Sequence, residues 1–277
     1  RNGWTLSALG QKWAIEHGYN IPESKHHNMV LIDGQGQGFF TPPGRVTALL
    51  DTPLATAING DASYAYDWRY TFSSRRGNPE NKGYDWEVEP LGPPTDGLHT
   101  LRAPCNPVDN AWRSGILIRG KHPYVMLVDD IRKDSSGDAH LYEWLMQTPV
   151  DLQLTSAAST EVILARQNAP EDAPRLLVRM VDHAKPDTPE ADVPKKPRLE
   201  QYLIRRSANT VRQQQDKDLA KRLVFSTMAP EPRFKMLLFP HMPGAPLPTT
   251  TWDDTHENLT VRWDDQVDTW RFRPKGG

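Results

Sequence analysis

The sequence is short of several things, and each shortage closes off a class of function. It has one cysteine, Cys105, so no disulfide can close within the chain and cysteine usage does not mark a redox compartment. It has no surplus of charge: 33 Lys and Arg face 35 Asp and Glu, a net of -2, which removes any global electrostatic case for nucleic acid or an anionic membrane. No apolar stretch approaches membrane-spanning length; no secretory leader opens the chain either, an absence that excludes nothing about export. Arg1 stands where a starting Met would, which reads as a chain processed or cut from something longer. Helix-length runs are scarce too, with only the neighbourhoods 5–14 and 213–221 offering one, and no repeat of fixed period exists.

What the chain does have is punctuation. With 25 Pro and 18 Gly, apolar runs are cut to strand length almost everywhere. Such runs fall at 29–32, 45–50, 55–58, 116–118, 124–128, 139–146, 152–154, 161–165 and 175–181, and again at 202–205, 222–226, 234–239, 259–263 and 269–273. Roughly a dozen strands at this spacing predict an all-β fold, a large antiparallel β-sandwich of stacked sheets with little helix. Asn59-Gly60-Asp61 reads as the turn closing the third run, and Arg119 to Pro123 as the turn of a hairpin. Residues 1–22 fit a loose strand or a short helix, while 73–83, 90–107 and 183–198 read as loops.

Nine Trp and eight Tyr supply either core anchors or flat platforms for a sugar ring, and packing takes most of them. Tyr64, Tyr66, Trp68, Tyr70 and Phe72 alternate strictly, which predicts five rings on one face of an extended segment.

The most informative stretch runs from Lys25 to Gly38. His26, His27 and Asn28 precede the apolar run Met29 to Ile32, and an Asp-Gly turn with a Gly/Gln tract follows. Two imidazoles therefore sit at a strand mouth, pointing opposite ways if the strand has already begun. The tract Gly34-x-Gly36 lacks both the third glycine of a dinucleotide loop and the Gly-Lys-Ser/Thr ending of a phosphate loop. No His-x-His or His-x-x-x-His spacing completes a metal site locally, and no Gly-x-Ser-x-Gly elbow exists. The residues alone leave the two histidines open as metal ligands, acid/base groups or hydrogen-bonded surface side chains.

A resemblance narrows this. His27-Asn28-Met29-Val30-Leu31-Ile32-Asp33-Gly34, with Gln37 after it, resembles the His-Asn-Thr-Val-x-Val-Asp-Gly signature of the heparinase II/III-like polysaccharide lyases. Further segments follow in the family's order. These are Gly60-Asp61-Ala62 to Tyr66, then Ile116 to Ile131 with Val128-Asp129-Asp130, then His140-Leu141-Tyr142-Glu143-Trp144, and last Phe234 to Pro240. The family is bipartite, an N-terminal α/α toroid and a C-terminal β-sandwich with the substrate cleft between them. The resemblance covers 26–277 as the sandwich and leaves 1–25 as a lead-in continuing from a toroid.

Such lyases cleave uronic-acid polysaccharide by β-elimination. The uronate carboxylate is neutralised, a base removes the C5 proton, and an acid protonates O4 as the glycosidic bond breaks. The family's upstream His-x-His-Asp and Asp-Pro-Gly have no counterpart before His26, nor do the toroid's catalytic His and Tyr. The resemblance thus implies no catalytic residue within this chain, which is expected to be inert by itself. It implies His27 as a metal ligand, to zinc, with the other ligands in an upstream segment. Asn28 would also brace the backbone, and the implied substrate contacts are His26, Asn28, Tyr64, Tyr66, Arg69 and Arg113. The implied partners are an acidic polysaccharide and the toroid, and the implied location is periplasmic or secreted. The competing expectation is a carbohydrate-binding or structural sandwich without chemistry.

Overall fold

A computed structural model of the chain describes residues 3–17, 23–37, 44–67, 70–75, 85–90, 107–182, 196–205 and 217–272. In chain order these form β1 (Leu6–Ala8), β2 (Gln11–Ala14), a 3-10 turn (Ser24–His26), β3 (Val30–Ile32), β4 (Arg45–Asp51) and β5 (Ala55–Asp61). A second 3-10 turn (Ser63–Tyr66) leads to β6 (Tyr70–Arg75), β7 (Asp85–Pro90), β8 (Asn110–Ile118), β9 (Tyr124–Arg132), β10 (His140–Thr148) and β11 (Leu152–Ala157). Then come β12 (Glu161–Arg166), β13 (Arg175–Asp182), β14 (Arg198–Arg205), β15 (Lys217–Ala229), β16 (Lys235–His241), β17 (Thr249–Trp252), β18 (Asn258–Arg262) and β19 (Val267–Arg271). The all-β sandwich expectation holds: every strand pairing described is antiparallel, and the 3-10 turns are the only helical elements among the described residues.

The layers follow from alternation. A four-stranded sheet, ordered β14-β15-β10-β3, packs on an eight-stranded sheet ordered β11-β12-β13-β16-β9-β8-β5-β4. Along β10 the alternate residues Tyr142, Trp144 and Met146 point inward, meeting Leu127, Leu176, Val178 and Leu238 of the larger sheet in the main core. The opposite face of the larger sheet is apolar as well. Its Tyr124, Met126, Leu177 and Leu237 pack against Leu259 and Val261 of a third sheet, β17-β18-β19, and against Trp263 just beyond β18. The sandwich is therefore three layers deep over part of its width.

Three local expectations need correction. The 5–14 neighbourhood is a hairpin rather than a helix: Leu9 and Gly10 both take positive φ (52° and 73°), as a two-residue turn between twisted strands requires. Trp13 and Ala14 of this hairpin are buried in the main core. Asn59-Gly60-Asp61 does not end a strand, because β5 runs on to Asp61 and keeps its register with β8 as far as Asp61 opposite Trp112. The single-face reading of the aromatic cluster fails at its first two rings. Ser63–Tyr66 is a 3-10 turn, so Tyr64 stays 44% exposed while Tyr66 is buried. Trp68 and residues 76–84, 91–106, 183–195 and 213–216 lie outside the described residues; from 217 the second helix-length window is β15.

Candidate functional site

The segment before β3 is fixed from three sides. Asn28 is wholly buried, and its carboxamide is spent on backbone: Nδ2 donates to Trp4 O at 2.5 Å and to Ile15 O at 2.9 Å, while Oδ1 accepts from Gln147 N at 2.5 Å. The Gln147 side chain returns hydrogen bonds to Lys25 O at 3.1 Å and His27 O at 3.2 Å. From below, Arg113 Nη1 donates to Asn28 O at 2.8 Å. The same guanidinium grips Asp129, its neighbour across the β8–β9 ladder, with Nε at 2.6 Å and Nη2 at 3.0 Å, and both partners are buried. Tyr66 completes the support by donating to Val30 O at 2.8 Å, and burial pushes its phenol pKa up. Asn28, Arg113 and Tyr66 are thus struts. Asn28 braces the local backbone, as the resemblance implies, and the inward-facing polar atoms of all three correct their assignment as substrate contacts.

The two histidines do part company, though not through strand alternation. His26 closes the 3-10 turn and His27 lies in the bend before β3. His26 turns inward and stacks on Tyr202 of β14, ring centroids 5.1 Å apart at 16°. Burial pulls its pKa down to about 4, so it is neutral at pH 7, and this packed ring is corrected from a substrate contact to a core contact. His27 turns to a cleft. Its Nδ1–H donates to Glu16 Oε2 at 2.6 Å, and Glu16 Oε1 accepts from Asn28 N at 3.3 Å.

The cleft has a volume of about 440 Å³ and is lined by Gly3, Trp4, Glu16, Ser24, His27 and Gln37, among others. Gln37, next to Gly36 of the glycine tract, joins this lining for a steric reason. A Cβ on Gly36 would lie 2.4 Å from Ser24 Cβ, so glycine lets the chain pass close enough for Ser24 Oγ to donate to Gln37 O at 2.7 Å. Gln37 Oε1 is buried with no hydrogen-bond partner. Tyr64 does not line this cleft, and Arg69 lies outside the described residues.

Sequence reasoning missed Glu16 and Trp4. Both come from the lead-in segment, and no spacing signal ties Glu16 to a histidine eleven positions on. For a zinc ion, His27 and Glu16 offer two donors of the right chemistry. Among the described residues no group of three or more His, Cys, Asp or Glu side chains is placed to hold a metal, so a complete site needs further ligands from elsewhere.

No protein-family model and no curated protein sequence matches the chain. Among solved structures, the fold is similar to the crystal structure of a mutant of heparan sulfate lyase HepC from Pedobacter heparinus, with a TM-score of 0.57 over 97% of this chain and 11% identity. The chain spans 36% of that lyase's length. At this identity the likeness is one of fold, a distant structural resemblance to a polysaccharide lyase.

Proposed function

We propose that the chain is the β-sandwich part of a polysaccharide lyase that cleaves uronic-acid-containing polysaccharide by β-elimination, and that it forms one wall of the substrate cleft. The observation that carries this reading is the Glu16–His27 pair in a cleft of about 440 Å³, on a fold similar to that of a heparan sulfate lyase. A carboxylate on Nδ1 fixes the orientation and tautomer of the His27 imidazole, which lines the cleft. The proposed task of His27 is to orient the uronate carboxylate or to hold a metal. Zinc, where bound, would act as a Lewis acid or as a fixed anchor for the loop. Trp4 offers an aromatic surface to a sugar ring. The base and acid of the elimination are assigned to an N-terminal toroid, in the same or a companion chain, and the location to the periplasm or the exterior.

The test compares the 277-residue chain with the protein in its full encoded length. Each is incubated with heparan sulfate, alginate, hyaluronan and chondroitin while the absorbance of unsaturated uronate is followed, and metal content is measured by mass spectrometry. The longer protein should turn over at least one polymer and the 277-residue chain none. Polysaccharide binding without product from the longer protein would favour the competing reading, a non-catalytic carbohydrate-binding sandwich. If His27→Ala left both activity and metal content intact, the role given to His27 would fall.

A further inference from the structure

Alternation along β8 sends neighbouring side chains to opposite faces of the eight-stranded sheet. Arg113 points towards the segment before β3, where it reaches Asn28 O, so Trp112 and Ser114 point the other way. Ile116, two residues further along, packs into the cluster beneath the three-stranded sheet and so marks the same outer face. Across the ladders Trp112 stands beside Asp61 of β5 and Asp130 of β9, and Asp61 stands beside Arg45 of β4. Ser114 stands beside Asn59, which pairs in turn with Ala48. These residues make one surface, on the side of the sheet away from Asn28 and next to the part that the three-stranded sheet covers.

Trp112 is 42% exposed, and no other tryptophan among the described residues is exposed. It stands three strands in from the edge of the sheet, where core packing does not account for so large a ring turned to water. The surface beside it is low and polar. Asp61 lies between Trp112 and Arg45 with its side chain 11% exposed, held down by Ser63 N at 2.9 Å and Ser63 Oγ at 2.7 Å. Arg45 rises at the rim, 3.3 Å from Asp61, and two strand spacings, roughly 10 Å, part its backbone from that of Trp112. In the next row Thr47 Oγ1 donates to Asn59 Oδ1 at 2.6 Å, and Asn59 Nδ2 donates to Ser114 Oγ at 2.8 Å. The Ser114 oxygen is thus an acceptor within the chain, which leaves its own hydrogen to donate outward. One arginine facing two aspartates gives no surplus of positive charge, so this surface suits a neutral ligand rather than an acidic one.

We propose that this surface is a separate saccharide site for a neutral hexopyranose, remote from the His27 cleft and on the other face of the sheet. The sugar ring stacks on the exposed side of the Trp112 indole, since a pyranose presents C–H groups to an aromatic face. Its hydroxyls accept from Ser114 Oγ and the Arg45 guanidinium and donate to Thr47 Oγ1. A polymer held there is tethered without being cleaved. The site stands on its own chemistry and does not rest on the lyase reading.

The test is calorimetric titration of the protein in its full encoded length with hexasaccharides of glucose, mannose and N-acetylglucosamine. The wild type should bind at least one of them. Trp112→Ala should weaken that binding about 10-fold, and Trp112→Phe and Ser114→Ala about 3-fold each. If Trp112→Ala lowers the melting temperature, the two milder variants carry the test. Saturating alginate hexasaccharide should leave the neutral sugar bound. No binding of any of the three neutral sugars by the wild type overturns the site, as does binding that none of the variants weakens. Displacement by the alginate hexasaccharide would place the neutral sugar in the His27 cleft and overturn it too. Each of these failures leaves the proposed function standing.

Discussion

Strands β13 and β4 belong to the same sheet, and both carry adjacent leucines: Leu176-Leu177 in one, Leu49-Leu50 in the other. Their fates are opposite. Leu176 and Leu177 are wholly buried because the four-stranded sheet covers one face of β13 and the three-stranded sheet the other. Leu49 and Leu50 stay exposed, as does every other residue of β4, because no described layer reaches that far. Two neighbouring apolar residues on a strand point to opposite faces, so such a pair says only that both faces suit burial. Whether they are buried depends on what the rest of the chain lays across them. The covered end of the sheet holds the fold together, and the open end leaves surface for something else.

That contrast can be tested, and the largest effect should come from the boundary between the two ends. Asp129→Ala strands the buried Arg113 guanidinium beneath the His27 segment and should cost about 3–5 kcal/mol in denaturant unfolding. A loss below about 1 kcal/mol would mean that the pair is not the strut described. Asn28→Ala leaves Gln147 N and two carbonyls without their partner and should cost about 3 kcal/mol.

His26 gives a pH signature. Its folded-state pKa of about 4 lies below the unfolded value of about 6.5, so the unfolded chain takes up the proton first. Stability is full above the unfolded value and falls as pH drops from about 6.5 towards 4, by on the order of 2 kcal/mol. Unfolding curves across that window should show this slope, and His26→Gln should flatten it. The smallest effect belongs to the open end. Leu49→Lys should move stability by no more than about 0.5 kcal/mol. A loss above 1.5 kcal/mol would show that β4 is covered after all.

Much of the fold was legible because its signals are local. The β8–β9 hairpin and the inward ring series of β10 are written in turn residues and in a two-residue period. The His-Asn stretch stands out in the sequence, and His27 from it lines the cleft. The partners of its residues do not stand out. The bracing role of Asn28 was expected, but its partner Gln147, 119 positions away, carries no sequence cue. Arg113 reads as a candidate sugar contact until Asn28, 85 positions away, is seen to receive its Nη1–H. Alternation misled at Tyr64 and Tyr66, because a 3-10 turn has no two-residue period. Glu16 had no sequence cue, since its partnership with His27 exists only once the first hairpin has docked.

The short strand β3 has a consequence for the order in which the molecule assembles. Its three residues find their ladder on β10, with Val30 opposite Trp144, and Asn28 locks the join to Gln147 across 119 positions of sequence. Closing so long a loop costs chain entropy before any contact rewards it, whereas the β8–β9 and β17–β18 hairpins close locally. Refolding should therefore form those hairpins early and seat the His27 segment late. The cleft would then be among the last features to appear, and ligand binding followed during refolding should lag behind the recovery of β-sheet circular dichroism.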